Sequence, residues 1–97
     1  MVNNINEISN PAKVKANFRK YKGNDDAKLE LSEKKDKKYK VIVDGKTVHF
    51  GSTMPDFTQH GSKTRQKSYL ARSGGLPGNW KSNKYSANNL SMWILWH

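Results

Sequence analysis

The chain has no cysteine, which excludes a disulfide framework, a thiolate zinc site and a cysteine nucleophile together. It has no long apolar run. The stretch Trp93-Ile94-Leu95-Trp96 falls far short of the roughly 20 residues that cross a bilayer as a helix. Acids are scarce: 8 Asp+Glu stand against 18 Lys+Arg, a formal charge of +10, and no acidic residue follows Asp56. Apolar content is only 34% over 97 residues, so the core is thin, because a domain of this size buries only about 60–65% of the surface that its unfolded chain exposes. These shortages exclude a multidomain enzyme, a membrane-spanning protein and an α/β fold enclosing a cofactor. Met1-Val2-Asn3-Asn4 lacks the basic-then-apolar plan of a leader. The expectation is an intracellular product with no membrane insertion, no cofactor and no small-molecule substrate.

What is present divides into a basic N-terminal arm over residues 1–27 and one small α+β domain over 28–97. Asn10 is suited to cap a helix whose first position is Pro11. Val14, Phe18 and Tyr21 recur at i, i+4 and i+7, and Gly23 supplies a stop, so a short amphipathic helix over about 11–22 is predicted. Lys13, Lys15, Arg19 and Lys20 cover its polar side. The stripe packs on the domain, or the arm docks onto a partner, since so short a helix is marginal alone. Beyond Asn24-Asp25-Asp26 the period falls to 2: Leu29 and Leu31, then Tyr39, Val41 and Val43. Asp44-Gly45 offers type I′ turn chemistry, and Lys46–Phe50 returns with Val48 and Phe50 on one face. A three-stranded antiparallel meander follows, with one or two short helices on it. Residues 33–38 read as a solvated charged turn and residues 51–61 as loop. Ser62 caps a second basic helix over about 63–72, and the segment from Ser86 is a short helix or an apolar strand.

Two constellations could carry chemistry. Lys63, Arg65, Lys67, Arg72, Lys81 and Lys84 lie in the acid-free stretch, interleaved with Tyr69, Trp80 and Tyr85. Such a field suits a polyanion, either nucleic acid or an acidic protein surface, unless the rings are simply the scarce core. His49, Asp56 and His60 could form a metal triad or a base with its orienter, or could tie down loop backbone. Arg65 and Arg72, seven residues apart, share a helix face, and one of them could pair with Asp56.

The order Lys38-Tyr39-Lys40-Val41, Asp44-Gly45-Lys46, Val48-His49-Phe50-Gly51, Asp56-Phe57-Thr58, His60, Arg65, Tyr69, Ala71-Arg72, Asn79-Trp80 and Ile94-Leu95-Trp96 resembles a group of small uncharacterised proteins. These are encoded by large DNA viruses, of the phycodnavirus and mimivirus types, and by tailed phages. The resemblance spans about residues 28–96. Ser73 stands where that pattern has a histidine, Gly61-Ser62 replaces an acidic turn, and residues 86–92 replace a glycine-aromatic stretch, which weakens any catalytic site built on the motif. The resemblance implies a non-enzymatic structural protein, a minor capsid or virion component made in the host-cell cytoplasm and binding other virion proteins. The alternative is a DNA- or RNA-binding accessory protein, and the third reading is a small metal-dependent nuclease.

Overall fold

Asn10 is extended, and its side chain accepts the backbone N–H of Lys13, so helix α1 starts at the proline that has no N–H to lose and runs Pro11–Lys22. The computed structural model describes residues 5–97, the side chain of Asn6 excepted. Residues 1–4, which open the expected arm and carry the leader reading, lie outside the described residues. Strands β1 (Ala27–Leu31), β2 (Tyr39–Val43) and β3 (Lys46–Phe50) form an antiparallel sheet in the order β1-β2-β3. Leu29 faces Val41, and Val41 faces Val48. Asp44 and Gly45 both adopt positive φ, 52° and 73°, the I′ geometry that matches the twist of the two strands it joins. This is the α+β arrangement that the alternation predicts.

Two segments add helix where the sequence pattern is silent or ambiguous. Within the expected loop, Asp56 caps a single turn, α2 (Phe57–His60), through its carboxylate and the Thr58 N–H. Ser62 then caps α3 (Lys63–Gly74). A 3₁₀ turn at Trp80–Ser82 leads to α4 (Ala87–Leu90), which continues directly into a π turn at Ser91–Leu95. The terminal apolar run is therefore helical.

That C-terminal helix sits between α1 and the sheet. Val14, Val41, Phe50, Leu90 and Ile94 are fully buried, and Phe18, Ala27, Tyr39 and Leu95 nearly so. The Asn17 amide donates to the Ile94 carbonyl at 2.9 Å, and the Tyr21 hydroxyl donates to the Lys84 carbonyl. Of the two readings of the stripe on α1, the structure shows the first: it packs on the domain, with Val14 and Phe18 in the same core as residues from 28–97. The sheet offers only one line of buried apolar residues, and the stripe on α1 is needed to cover the C-terminal helix from its other side.

Candidate functional site

The most buried charged pair among the described residues lies where the sequence pattern places a solvated turn. Lys38 is 2% exposed and Asp56 fully buried, with Nζ and Oδ2 3.3 Å apart. Burial pushes the Lys38 ammonium below its usual range, and the carboxylate of Asp56 partly opposes that shift. Hydrogen bonds converge on the same carboxylate. The Tyr39 hydroxyl donates to Ser9 Oγ at 2.8 Å, Ser9 Oγ lies 3.3 Å from Thr58 Oγ1, and the Thr58 hydroxyl and backbone N–H both donate to Asp56 Oδ1. Burial also pushes the Tyr39 phenol up, to about 12. The network joins residues 8–10 to α2, helped by the Asp56 N–H, which donates to the Ile8 carbonyl. Asp56 therefore pairs with Lys38, and neither Arg65 nor Arg72 is its partner.

The triad expected from His49, Asp56 and His60 is not assembled. His49 Nδ1 lies 2.8 Å from Ser32 Oγ on the sheet, and His60 Nδ1 accepts the Ser62 backbone N–H at 2.9 Å. Among the described residues no three His, Asp or Glu side chains cluster as a metal-binding set. Each of the three residues instead fixes local backbone or a neighbouring side chain.

What the fold does bring together is a cleft of about 520 Å³ between α3 and the chain following β3, a volume within the range of about 300–1,000 Å³ usual for ligand sites. Its buried lining residues include Lys38, Gly51 and Leu95. Gly51 has φ +83°, and a Cβ there would stand 2.8 Å from Leu95 Cδ1, so only glycine lets the chain leave β3 this close to the C-terminal helix. Arg65, Tyr69 and Arg72 line the cleft from α3, since residues at i, i+4 and i+7 share a helix face. Trp96 completes it, stacked on Tyr69 with ring centroids 4.2 Å apart and planes 9° from parallel, and with the His60 ring 5.3 Å away. The Gln66 amide donates to the Trp96 carbonyl at 2.8 Å and fixes the end of the chain against α3.

Other expected site residues fall elsewhere. Lys63 and Lys67 are exposed on α3. Lys13, Lys15, Arg19 and Lys20 are exposed on α1. Lys84 is taken up by Asp25 at 2.8 Å, and its ammonium also lies over the rings of Tyr21 and Tyr85. That arrangement holds the Asp25 carboxyl below its ordinary range. Lys81 sits over Trp80, whose indole N–H donates to the Leu76 carbonyl. Phe50 is core and packs on Tyr39, while Phe57 meets His60 edge-on. Asn79 contributes its carbonyl to the hydroxyl of Ser82.

Sequence reasoning missed Lys38, Thr58 and Asn89. The Asn89 amide is buried and donates to the carbonyls of Trp80 and Asn83 at 2.9 Å each, pinning the loop before α4. No local signal marks Lys38, because alternation puts it in phase with the partly exposed Lys40.

Residues 27–73 match the model of a family of unknown function, DUF5754. The match takes in the sheet, α2 and nearly all of α3, just under half of the chain, and stops short of the C-terminal helix. No curated protein and no solved structure matches the chain.

Proposed function

We propose that the protein binds nucleic acid through α3 and the cleft beside it. The carrying observation is the character of that helix. Over 12 residues it buries only Ser73, and it exposes Lys63, Arg65, Lys67 and Arg72 with no acidic residue on it. None of those four cations forms an ion pair among the described residues. Asp56, which caps α2 just ahead of this helix, is buried and paired with Lys38. A helix spared both burial and internal pairing keeps its whole positive field for an external polyanion. Three of the α1 cations are differently placed: Lys15, Arg19 and Lys22 line a shallow groove shared with Glu30, and Lys22 acts on Asp25.

Nucleic acid is favoured over an acidic protein surface by the rings. Arg65 and Arg72 flank Tyr69 and Trp96, and phosphate-binding cations set around aromatic faces are the combination that tracks a polynucleotide backbone while its bases stack. The reading as a virion component draws on the thin core, on the resemblance and on an arm in need of a partner; the burial of Val14 and Phe18 bears against the last of these alone.

The test is the salt dependence of binding to a labelled oligonucleotide. Four phosphate contacts predict that log K falls against log salt with a slope of about −3 to −4, shallower on single strands than on duplex. Affinity unchanged between about 50 and 200 mM salt would overturn the proposal.

A further inference from the structure

Four consecutive residues of β1, Ala27–Glu30, border one groove of about 390 Å³ shared with α1. Side chains of a strand alternate between its two faces, so four in a row border a single groove only along the strand's edge. Among the described residues, β1 has β2 on one side and no strand on the other. The phase of its backbone follows from the hairpin. A two-residue turn makes Val43 and Lys46 a bonded pair, so Ile42 and Lys40 turn their N–H and C=O groups toward β1 instead. Their register partners are Lys28 and Glu30, which leaves the N–H and C=O groups of Leu29 and Leu31 on the open edge. Two bonds agree with that phase: the Ser32 N–H donates inward to the Lys38 carbonyl at 3.0 Å, and the outward Ala27 N–H donates to the Asp25 carbonyl at 3.1 Å. Among the described residues, no backbone group outside the sheet hydrogen-bonds Leu29 or Leu31. The groove is also charged. Lys15, Arg19 and Lys28 border it and form no ion pair among the described residues. The one acid on it, Glu30, has Lys40 Nζ 3.7 Å from its carboxylate. Phe18, Ala27 and Leu29 give it an apolar side, and Leu31, next along the strand, is 48% exposed.

We infer that this groove takes an acidic, extended segment of a partner protein, which adds to β1 as a fourth strand. Main-chain bonds to Leu29 and Leu31 hold it, as peptides are held at exposed sheet edges. Its carboxylates meet Lys15, Arg19 and Lys28, and an apolar side chain in alternation with them covers Leu31. A second copy of this chain fits poorly, because edge-to-edge pairing brings the same cations together in a molecule that carries a charge of +10. Nucleic acid lacks the regularly spaced N–H and C=O groups that a strand edge pairs with. The groove shares no lining residue with the cleft beside α3, so the inference stands apart from the nucleic-acid reading.

The experiment follows the backbone amide signals of the full chain by NMR. The probes are a short blocked peptide alternating valine and aspartate, its counterpart with lysine for aspartate, and a short oligonucleotide. The acidic peptide is expected to shift the Leu29 and Leu31 amides and to slow their exchange with solvent, while the lysine peptide binds at least about tenfold more weakly. Leu31→Pro removes one outward N–H at an edge position where proline is tolerated, and should weaken the acidic peptide about threefold or more. Lys15→Gln with Arg19→Gln, both exposed on α1, tests the charge without touching the strand and should weaken it about tenfold. Equal binding of the two peptides, or no change at Leu29 and Leu31 with either, would overturn the inference. Protection of those amides by the oligonucleotide would overturn it in favour of nucleic acid. Protection that grows with protein concentration alone would overturn it in favour of a second copy. The salt slope of oligonucleotide binding tests the α3 reading separately, whatever the peptides do.

Discussion

Helices α1 and α3 are each 12 residues long, each strongly basic and each capped by a side chain that accepts a backbone N–H, yet they serve opposite ends. The first buries Val14 and Phe18 and closes the core. The second buries one serine, while the cations of both helices are exposed. The difference lies in a few apolar positions: α1 has a stripe at i and i+4, whereas the bulky groups of α3, Tyr69 and Leu70, are adjacent and only partly covered. Basic helices that look alike by composition are thus separated by where their few large apolar residues fall. In so thin a core, a helix with a proper stripe is conscripted into burial, and one without it stays at the surface.

The strongest test of the buried side of this contrast is Lys38→Met. It strips the counter-charge from a fully buried carboxylate and should lower unfolding free energy in urea by about 3–5 kcal/mol. A loss below about 1 kcal/mol would mean that the pair is not the internal strut described here. Phe18→Ala on α1 should cost about 3–5 kcal/mol through lost burial and the cavity left behind. The matching change on α3, Tyr69→Ala, should cost less than half as much. Equal losses would erase the distinction between the two helices. Gly51→Ala should cost about 1–2 kcal/mol from its left-handed backbone alone, with more from the crowding against Leu95. That cost would be visible as a lower urea midpoint with an unchanged denaturant slope.

The smallest expected effect is on pH. The His60 pKa is lowered in the folded protein by desolvation and by Arg65. As pH falls below about 6.5, the unfolded chain takes up a proton before the folded one does. Stability should therefore decline below that pH with a slope of at most one proton per molecule, and His60→Gln should flatten the decline. A slope of the opposite sign would mean that the Asp56 carboxylate outweighs desolvation and Arg65 at His60.

Much of this architecture is legible in the chain. The Asn10-Pro11 start of α1, the period of 2 through Tyr39–Val43 and Lys46–Phe50, the Asp44-Gly45 turn and the Ser62 cap are local signals, and each element forms where its signal lies. What was not legible is non-local. Lys38 is buried because Asp56, from another segment, reaches it, while its own strand phase pointed outward. The one-turn helix α2 is too short to show a period. The nearly continuous apolar run at the end is helical because α1 packs against it. The cleft depends on α3, the chain after β3 and Trp96 meeting in space. The shared face of Arg65 and Arg72 could be read in advance; of its two readings, the pairing with Asp56 is not the one formed, since Asp56 pairs with Lys38.

The central claim, that α3 rather than α1 meets the polyanion, is tested most directly by comparing salt slopes of oligonucleotide binding for two charge-removing pairs. One variant carries Lys63→Gln with Lys67→Gln, and the other carries Lys13→Gln with Lys20→Gln. The account predicts that the α3 pair weakens binding and reduces the slope by about 2, one for each lost phosphate contact, while the α1 pair leaves it unchanged. A slope reduced equally by both pairs, or by the α1 pair alone, would contradict it.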